Sequence, residues 1–400
     1  MRKTHRRVGL AVLAAALTVG VVAPGTASAH RGGGNSGVQT TISVVLSDLD
    51  TPRGVIYDRL LRRVLVAEAG EGGPSAANGG ICGAANGGAI YCYGATGAVR
   101  QYSEIFGTNR RLVTGLASIA NYSRSTGNKA SVLGLHDLSL HLGKLRGVYG
   151  LSGAQPFRDQ QLVGGGAPGA IELGQLVTFN QLQGDVRSLD ADFVAYEQTQ
   201  NPEPTIIDAD PYGMDTGFYG TVVADAAANA LLLAKPDGTI QTLAVFSARQ
   251  ITLPDGSTDT IESVPTAVVR GPDGAFYMSE LSGFPYYKGA ARVMRIVPGQ
   301  APTVYADGFT AIADLTFDDR GRLVVLEMAK EGLFALTPGQ DTVTGRLVRV
   351  ERNGTRTDLA TTGLENPGGV AYAGDGTYYV TNRTTGVGDN GQLLKLQVQG

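Results

Sequence analysis

The second half of this 400-residue chain repeats one short pattern, and that repetition limits its fold more than any other feature. Each copy holds a short apolar strand, a turn rich in Gly and Asp, and an apolar or aromatic strand that ends on an acid or amide. Four copies and an earlier fifth are DPYGMDTGFYGTVVAD (210–225), VPTAVVRGPDGAFYMSE (264–280), IADLTFDDRGRLVVLE (312–327), NPGGVAYAGDGTYYVTN (366–382) and TPRGVIYDRLLRRVLVAE (51–68). The last residues of the four C-terminal copies are 47 to 55 residues apart. Repeats of about 40–50 residues with several short strands predict a β-propeller.

The spacing also predicts the number of blades and how the ring closes. The gap of 157 residues between the ends of the first two copies has room for one further, modified copy, which gives an all-β, six-bladed β-propeller. The final copy has a third strand at 391–398, after which the chain stops. Residues 40–46 (TTISVVL) form a β-branched run without a partner, so we expect them to supply the missing strand and remove the open sheet edges.

The modified copy carries the one predicted helix. Leu189, Phe193 and Tyr196 lie at helical spacing within residues 188–200, and Asn201-Pro202 follows them. The sequence therefore predicts a single amphipathic helix inserted between blades two and three.

The first residues predict secretion. Residues 1–29 contain a basic start, an apolar stretch of about 15 residues and the A-x-A site Ala27-Ser28-Ala29, as in a signal peptide cleaved after Ala29. The apolar stretch is shorter than the ~20 residues of a membrane span, so no span is expected. Residues 30–39 are glycine-rich and polar, which predicts a flexible lead-in, and 40–400 form a single propeller domain.

Charge and cysteine content narrow the partners. Removing the signal leaves 29 basic against 36 acidic residues, a net charge of −7, and no basic run, so nucleic acid is not an expected partner. The only cysteines, Cys82 and Cys92, lie ten residues apart in a Gly- and Asn-rich insertion. In an oxidising compartment they predict a local disulfide rather than free thiols, and a metal site would need further ligands that the sequence does not show.

Several segments resemble the ScyD/ScyE family, secreted bacterial proteins of the TolB-like, NHL-related propeller superfold. They are DPYGM, VVADAAANALLLAKPDGTI, SELSGFPYYKGAARV, GFTAIADLTFDDRGRLVVLE and the TPRGV start, and they span nearly all of the chain after the signal. Asp210 departs from the resemblance, because Asn is expected before Pro-Tyr-Gly. The resemblance implies a six-bladed fold and no particular reaction.

One position of the repeat is expected to face the central channel. The residue after the motif proline, or its equivalent, is Arg53, Asp137, Tyr212, Thr266, Ala313 or Gly368. Propeller lactonases of related architecture place Asn and Asp at such positions, because calcium takes several oxygen ligands. Here the only carboxylate among the six is Asp137, and Arg53 would repel a cation, so this position disfavours a calcium cofactor.

A second position is the acid or amide that ends each repeat: Glu68, Asp225, Glu280, Glu327 and Asn382. One interpretation is structural, with each side chain accepting hydrogen bonds from backbone N–H groups of the next loop. The other is an acidic rim that binds a cation or a cationic ligand. Carboxylates facing one channel would raise one another's pKa values unless a positive charge offsets them.

Two further features bear on chemistry. His136 and Asp137 could act as a general base with its orienting carboxylate, although a partly buried histidine beside a surface acid is the more common arrangement. The loop after Glu280 carries Phe284 and Tyr286, which suit stacking on an aromatic or sugar ligand or covering a blade edge. No nucleophile elbow, HExxH motif or phosphate loop is present.

Two functions follow as hypotheses. The first is a secreted, non-catalytic module that binds a small molecule or protein on the channel face, with no cofactor, through Arg53, Tyr212, Thr266, Glu280, Phe284 and Tyr286. The second is a metal-assisted hydrolase or lactonase with His136 as base. Its metal ligands would come from Glu68, Asp137, Asp225, Glu280 and Glu327.

Overall fold

The computed structural model describes residues 30–33, 37–123, 127–180, 187–333, 342–385 and 390–400, and this part of the chain is nearly all β. The predicted signal peptide lies outside the described residues. The strands form seven antiparallel sheets, of which six have four or more strands and one has two. We number the six larger sheets in chain order.

The strand bounds follow the chain. The N-terminal strands are β1 (His30–Gly33) and β2 (Gln39–Leu49). Sheet 1 contains β3 (Pro52–Asp58), β4 (Arg63–Glu68), β5 (Cys82–Ala84), β6 (Ile90–Ser103), β7 (Thr108–Tyr122) and β8 (Lys129–Leu133). Sheet 2 contains β9 (Leu135–His141), β10 (Lys144–Tyr149), β11 (Gln175–Phe179) and β12 (Arg187–Asp192). Sheet 3 contains β13 (Pro211–Gly217), β14 (Gly220–Asp225), β15 (Ala230–Ala234) and β16 (Ile240–Val245).

The two-stranded sheet is the hairpin of β17 (Arg249–Thr252) and β18 (Thr258–Ile261). Sheet 4 contains β19 (Pro265–Arg270), β20 (Phe276–Glu280), β21 (Ala291–Ile296) and β22 (Thr303–Phe309). Sheet 5 contains β23 (Ile312–Phe317), β24 (Leu323–Glu327), β25 (Arg346–Val350) and β26 (Arg356–Ala360). Sheet 6 contains β27 (Val370–Gly374), β28 (Thr377–Asn382) and β29 (Gly391–Gln399), together with β2 and β1.

The N-terminal strand completes sheet 6. Strand β2 runs antiparallel to β29, with Thr40 opposite Val398 and Val44 opposite Leu394. This is the pairing that the β-branched run at 40–46 predicted. The two ends of the chain are therefore joined by a continuous ladder of hydrogen bonds.

The helical segments are short. The α-helix α1 (Phe193–Gln200) lies between sheets 2 and 3, and short 3₁₀ or π turns cover Ala76–Asn78, Asn86–Gly88, Phe157–Val163 and Pro168–Glu172. The prediction of helix over 188–192 was wrong, because these residues form β12 and pair with β11, Leu189 lying opposite Val177. None of the helices in the described part is long and apolar enough to cross a membrane.

The first strands of the six sheets are neighbours in cyclic order. Strand β3 contacts β9, and the contacts continue through β13, β19, β23 and β27 back to β3. Equivalent positions meet at these contacts: a Cβ on Gly54 would lie 2.9 Å from the Cα of Asp137, and one on Gly369 would lie 3.1 Å from the Cα of Gly54. Glycine is needed there because the backbones approach too closely for a side chain.

The core is divided among the spaces between sheets. Six clusters of buried apolar side chains each join two sheets that are neighbours in the same cyclic order. Strand β24 shows how one strand serves two of them, since Val325 packs towards sheet 4 and Val324 and Leu326 pack towards sheet 6. This alternation follows from the two-residue period of a strand.

The predicted disulfide is present. Cys82 and Cys92 are bonded across the paired strands β5 and β6, with an S–S distance of 2.01 Å. The bond fixes the insertion that follows β4 in sheet 1.

Candidate functional site

The first strands surround a narrow cavity on the axis of the ring. Its volume is about 10 Å³, room for about one water-sized group. Its lining residues are Arg53, Gly54, His136, Asp137, Tyr212, Gly213, Thr266, Ala313, Asp314 and Gly368. The position after the motif proline therefore brings residues from all six sheets together, as the repeat led us to expect.

In sheet 2, the residue predicted to occupy the position after the motif proline is wrong by one residue. In sheets 1, 3, 4 and 5 the first residue of the inner strand lies opposite the acid that ends the second strand, as Pro52 does with Glu68. In sheet 2 the residue in that place is Leu135, which lies opposite Tyr149. The residue after it is His136 rather than Asp137, and Asp137 shares its position with Asp314 of sheet 5.

Arg53 carries the positive charge of the cavity. Its side chain is buried, with only 3% of the residue exposed. One terminal nitrogen donates to the carbonyl oxygen of Val132 at 2.6 Å and the other to the hydroxyl of Tyr212 at 3.4 Å. Nε has no partner, and no carboxylate of the described residues lies within 4 Å of this guanidinium. A buried cation without a counterion is costly, so this charge is available to a ligand.

His136 lies beside Arg53, and its surroundings favour the neutral imidazole. Nδ1 donates to the carbonyl oxygen of Pro211 at 3.2 Å, and the ring packs on Tyr212 with centroids 4.6 Å apart. Burial, and then the charge of Arg53, hold the pKa of His136 well below its usual value. Nε2 is buried without a partner, so the imidazole keeps one unused acceptor.

Asp137 and Asp314 connect neighbouring inner strands. Asp137 accepts from the N–H groups of Leu138 and Met214, both at 2.8 Å. Asp314 accepts in the same way from Leu315 and Val370, both at 2.7 Å. Burial raises the pKa of Asp314 to about 7, and burial together with the charge of Asp314 raises the pKa of Asp137. These carboxyls hold strands together, and both oxygens of Asp137 are used in doing so.

The carboxylate nearest His136 is Asp210, whose Oδ1 lies 3.7 Å from Nδ1. Asp210 is fully buried, and burial followed by the charge of Asp225 raises its pKa. The sequence singled out Asp210 only as a departure from the family pattern, and it did not single out Asp314. The sequence pattern that could have identified Asp314 is an Asp two residues after the start of an inner strand. The same pattern occurs at Asp137.

The four acids and the amide, Asn382, that end the repeats are all buried, and none of the five lines the cavity. Four of them accept a backbone N–H from the segment before an inner strand: Asp50 to Glu68 at 3.0 Å, Asp210 to Asp225 at 2.8 Å, Thr310 to Glu327 at 2.6 Å and Glu365 to Asn382 at 2.7 Å. Glu280 accepts from the hydroxyl of Ser263 at 2.9 Å. The structural interpretation expected donors in the loop after each repeat. Asp225 has such donors, the N–H groups of Ala227 at 3.1 Å and Ala228 at 3.0 Å, whereas the four backbone donors above lie in the segment that precedes the inner strand.

Arginines neutralise three of these acids. Glu280 accepts two hydrogen bonds from Arg292, at 2.9 and 2.7 Å. Glu68 is bonded to Arg100 and Glu327 to Arg346. Within the described ranges, no group of three or more His, Cys, Asp and Glu side chains could hold a metal ion.

An apolar and aromatic wall stands beside the cavity. Tyr212 and Tyr286 pack in one cluster with Val264, Leu281 and Ala311. Phe284 is 63% exposed, and its ring lies edge-on to that of Tyr286 with centroids 6.3 Å apart. Thr266, by contrast, is buried and its hydroxyl already donates to the carbonyl oxygen of Ile312 at 2.8 Å.

No protein-family model matches the sequence, and no curated protein matches it. Solved structures do resemble it. A protein of unknown function from Bacteroides thetaiotaomicron superposes with a TM-score of 0.53 at 9% identity, over 90% of this chain and 76% of that chain. Regucalcin, a calcium-binding protein from Agrobacterium tumefaciens, gives 0.50 at 11% identity, over 89% and 94%.

A virginiamycin B lyase from Staphylococcus aureus gives a lower TM-score, 0.45 at 11% identity, over 90% of this chain and 99% of that chain. At identities this low, the likeness to solved structures shows the fold alone. The chain has a β-propeller fold.

Proposed function

We propose that this chain is a secreted, six-bladed β-propeller of the ScyD/ScyE type that binds a small ligand through an anionic group beside Arg53. The observation that carries the proposal is the guanidinium of Arg53, which is buried on the axis of the ring without a carboxylate partner among the described residues. An anion placed there would supply the missing counterion. Arginine is suited to this role because it stays charged and presents several donors in a plane.

The ring of six blades is supported by the cyclic contacts of the inner strands and by the six inter-sheet clusters. The seventh sheet, β17–β18, lies between sheets 3 and 4 in the chain and has only two strands. We assign it as an insertion rather than a blade. Secretion is supported by the signal-like sequence of residues 1–29.

The shape of the cavity limits the ligand. It has room for about one water-sized group, so only the tip of a ligand, such as one oxygen of a carboxylate, would approach Arg53, while the rest of the ligand would lie over Tyr212, Tyr286 and Phe284. Flat apolar bodies stack well on such rings. We therefore propose a small aromatic carboxylate as the ligand class.

A calcium ion fits these residues poorly. A cation would have to lie beside Arg53, and the carboxylates of Asp137 and Asp314 are occupied by backbone N–H groups. The acids that end the repeats are bonded to arginine or to the backbone. One observation favours a second candidate, a hydrolase: the neutral, unpartnered Nε2 of His136 in the cavity wall is the state that a general base requires.

Thermal melting tests the proposal. We expect benzoate and 4-hydroxybenzoate to raise the melting temperature of the wild type, because a ligand of the folded state stabilises it. The corresponding amides should not. Arg53→Gln should remove the effect of the acids, and Arg59→Gln, at an exposed arginine outside the cavity, should keep it.

Equal shifts from acids and amides, or full stabilisation of Arg53→Gln by the acids, would contradict the proposal. A calcium-dependent shift that a chelator reverses would favour the metal-assisted alternative.

A further inference from the structure

A second surface lies at the opposite end of the inner strands. Because equivalent residues of these strands are in contact, the turns that follow them lie at one height on one face of the ring. The first strands end four residues beyond Gly54, Asp137 and Gly213, in sheets 1, 2 and 3 respectively. The turns after them form a face that is separate from the opening lined by Arg53.

Large apolar side chains occupy these turns in three consecutive sheets. Leu60 is 90% exposed, Leu142 74% and Phe218 82%, in the first turns of sheets 1, 2 and 3. Such turns ordinarily carry Gly, Asn, Asp or Pro. The matching turns of sheets 4, 5 and 6 follow that rule, with Asp273, Asp319 and Asp375.

The outer turn of sheet 1 extends the same surface. Phe106 is 77% exposed and Ile105 56%. The N–H of Glu104 donates to the carbonyl oxygen of Arg62 at 3.1 Å, which places this turn beside the one that carries Leu60 and Leu61. Phe218 lies edge-on to His141, with centroids 5.0 Å apart, and so joins the turns of sheets 2 and 3. We call this set the apolar turn face: Leu60, Leu61, Ile105, Phe106, Leu142 and Phe218.

Exposed basic residues lie around the apolar turn face, and one of them, Arg59, donates to the carbonyl oxygens of Ala373 at 3.2 Å and Tyr372 at 3.3 Å. Arg59, Arg110 and Lys144 are exposed, and none forms a salt bridge within the described ranges. Among the nearby acids, Asp58 pairs with Arg63 and Glu104 with Lys395, whereas Asp375 in the first turn of sheet 6 is exposed and forms no salt bridge with the described residues. The three basic residues outnumber this one acid, so the surface is positive although the whole chain has a net charge of −3.

We infer that the apolar turn face docks on an anionic lipid surface. Single apolar side chains that project at one height suit insertion into the boundary between headgroups and acyl chains, and flanking Lys and Arg suit anionic headgroups. A protein partner would be better matched by a continuous concave patch, whereas these side chains are spread over three sheets. Exposed apolar residues on this scale also reduce solubility, which favours a role for them.

Sedimentation with lipid vesicles tests this inference. The protein should bind vesicles of phosphatidylcholine with about one-third phosphatidylglycerol, bind far less to phosphatidylcholine alone, and dissociate in about 0.5 M salt because screening removes the charge attraction. Phe106→Ser and Phe218→Ser should each weaken binding on the order of tenfold, from the apolar area lost. Arg110→Glu should weaken it at least fivefold, at about 1 kcal/mol per basic residue.

Two matched controls are available. Val304 is 48% exposed on the outer strand of sheet 4, and Arg352 is an exposed arginine in a turn of sheet 5. Val304→Ser and Arg352→Glu should bind vesicles like the wild type. All of these substitutions are at exposed positions, so we expect the melting temperatures to stay unchanged. Measuring them will show that each variant folds.

Two results would overturn the inference. The first is vesicle binding that is absent, or that the variants of the apolar turn face leave unchanged. The second is a dimer, detected by light scattering without lipid, that Phe106→Ser dissociates, because the face would then belong to a second copy of this chain.

Discussion

At the scale of single residues, buried carboxyls at the ends of the second strands anchor the segments that lead into the inner strands. Each side chain accepts a hydrogen bond from inside the protein rather than from water. Glu68, Glu280 and Glu327 are also hydrogen-bonded to an arginine. A buried ion pair contributes little net stability, but removing one partner leaves the other charge without compensation. These residues should therefore be intolerant of truncation.

Glu280→Ala tests this expectation. Glu280 is fully buried, accepts two hydrogen bonds from Arg292 and one from Ser263. We expect the free energy of unfolding in urea to fall by about 3–5 kcal/mol. The control is Glu331→Ala, which breaks the exposed pair with Lys288 and should cost less than about 1 kcal/mol. Equal losses in the two variants would contradict the anchoring role.

A second group of acids makes stability depend on pH. Burial, and then the charges of Asp225 and Asp208, raise the pKa of Glu197 to about 8. Burial raises the pKa of Asp208 to about 7 and that of Asp225 to about 6. Unfolding returns such groups to values near 4, so the folded state binds protons that the unfolded state releases. The stabilisation is complete below about pH 4 and is lost as the pH rises to about 8.

We therefore expect the free energy of unfolding to decrease between about pH 5 and pH 8.5, as measured by urea denaturation. Glu197→Gln should flatten this dependence and raise stability at pH 8.5, because the amide cannot ionise. Asp319→Asn, at an exposed position, should keep the wild-type slope. A wild-type stability that does not change over this interval would refute the expectation.

At the scale of strands and helices, the sequence was most informative where turn chemistry was local. The turn at 271–274 and the strands on either side of it, β19 and β20, follow directly from Gly-Pro-Asp-Gly and the apolar runs. The helix was harder to predict, because Leu189, Phe193 and Tyr196 lie at helical spacing although the boundary between β12 and α1 falls between Leu189 and Phe193. Leu189 belongs to β12 and is 46% exposed, and only Phe193 and Tyr196 are in α1.

The candidate site was also predictable only where the sequence pattern is local and regular. The position after the motif proline identified Arg53, Tyr212 and Thr266 as neighbours because every regular copy has the same register. Sheet 2 lacks the proline, so its register could be settled only by the pairing of Leu135 with Tyr149. The partner of Asp137, the N–H of Met214, lies 77 residues away in the chain, and no local pattern encodes such a contact.

Asp192 connects β12 to α1 and offers a test at this scale. Its side chain accepts from the N–H of Ala195 at 3.0 Å, and it pairs with both terminal nitrogens of the buried Arg158. Asp192→Ala removes the helix cap and the ion pair, so we expect a loss of about 2–4 kcal/mol in urea unfolding. Asp192→Asn keeps a capping oxygen and should lose less. If the two variants were equally unstable, the cap would contribute nothing.

At the scale of the whole molecule, the six inter-sheet clusters make each sheet depend on two neighbours. Opening the ring between any two sheets would expose an apolar sheet face on each side of the gap, which would destabilise the open form. The inner strands begin beside the buried charge of Arg53 and end at the apolar turn face, so the two candidate surfaces lie at opposite ends of these strands. Among the described residues, only sheet 6 takes strands from both ends of the chain, so we expect the pairing of β2 with β29 to hold the ring closed.

Truncation at the N-terminus tests this closure. A chain that begins at Val38 keeps β2, whereas one that begins at Asp50 lacks it and leaves the hydrogen-bonding edge of β29 open. We expect the longer chain to melt like the protein from which only residues 1–29 are removed, and the shorter chain to melt at least 15 °C lower and to self-associate, because open strand edges pair with other chains. A synthetic peptide of residues 38–49 should restore much of the lost melting temperature, and a scrambled peptide should not. Equal melting of the two truncated chains would mean that the ring is held closed by the inter-sheet clusters alone and that β2 is dispensable.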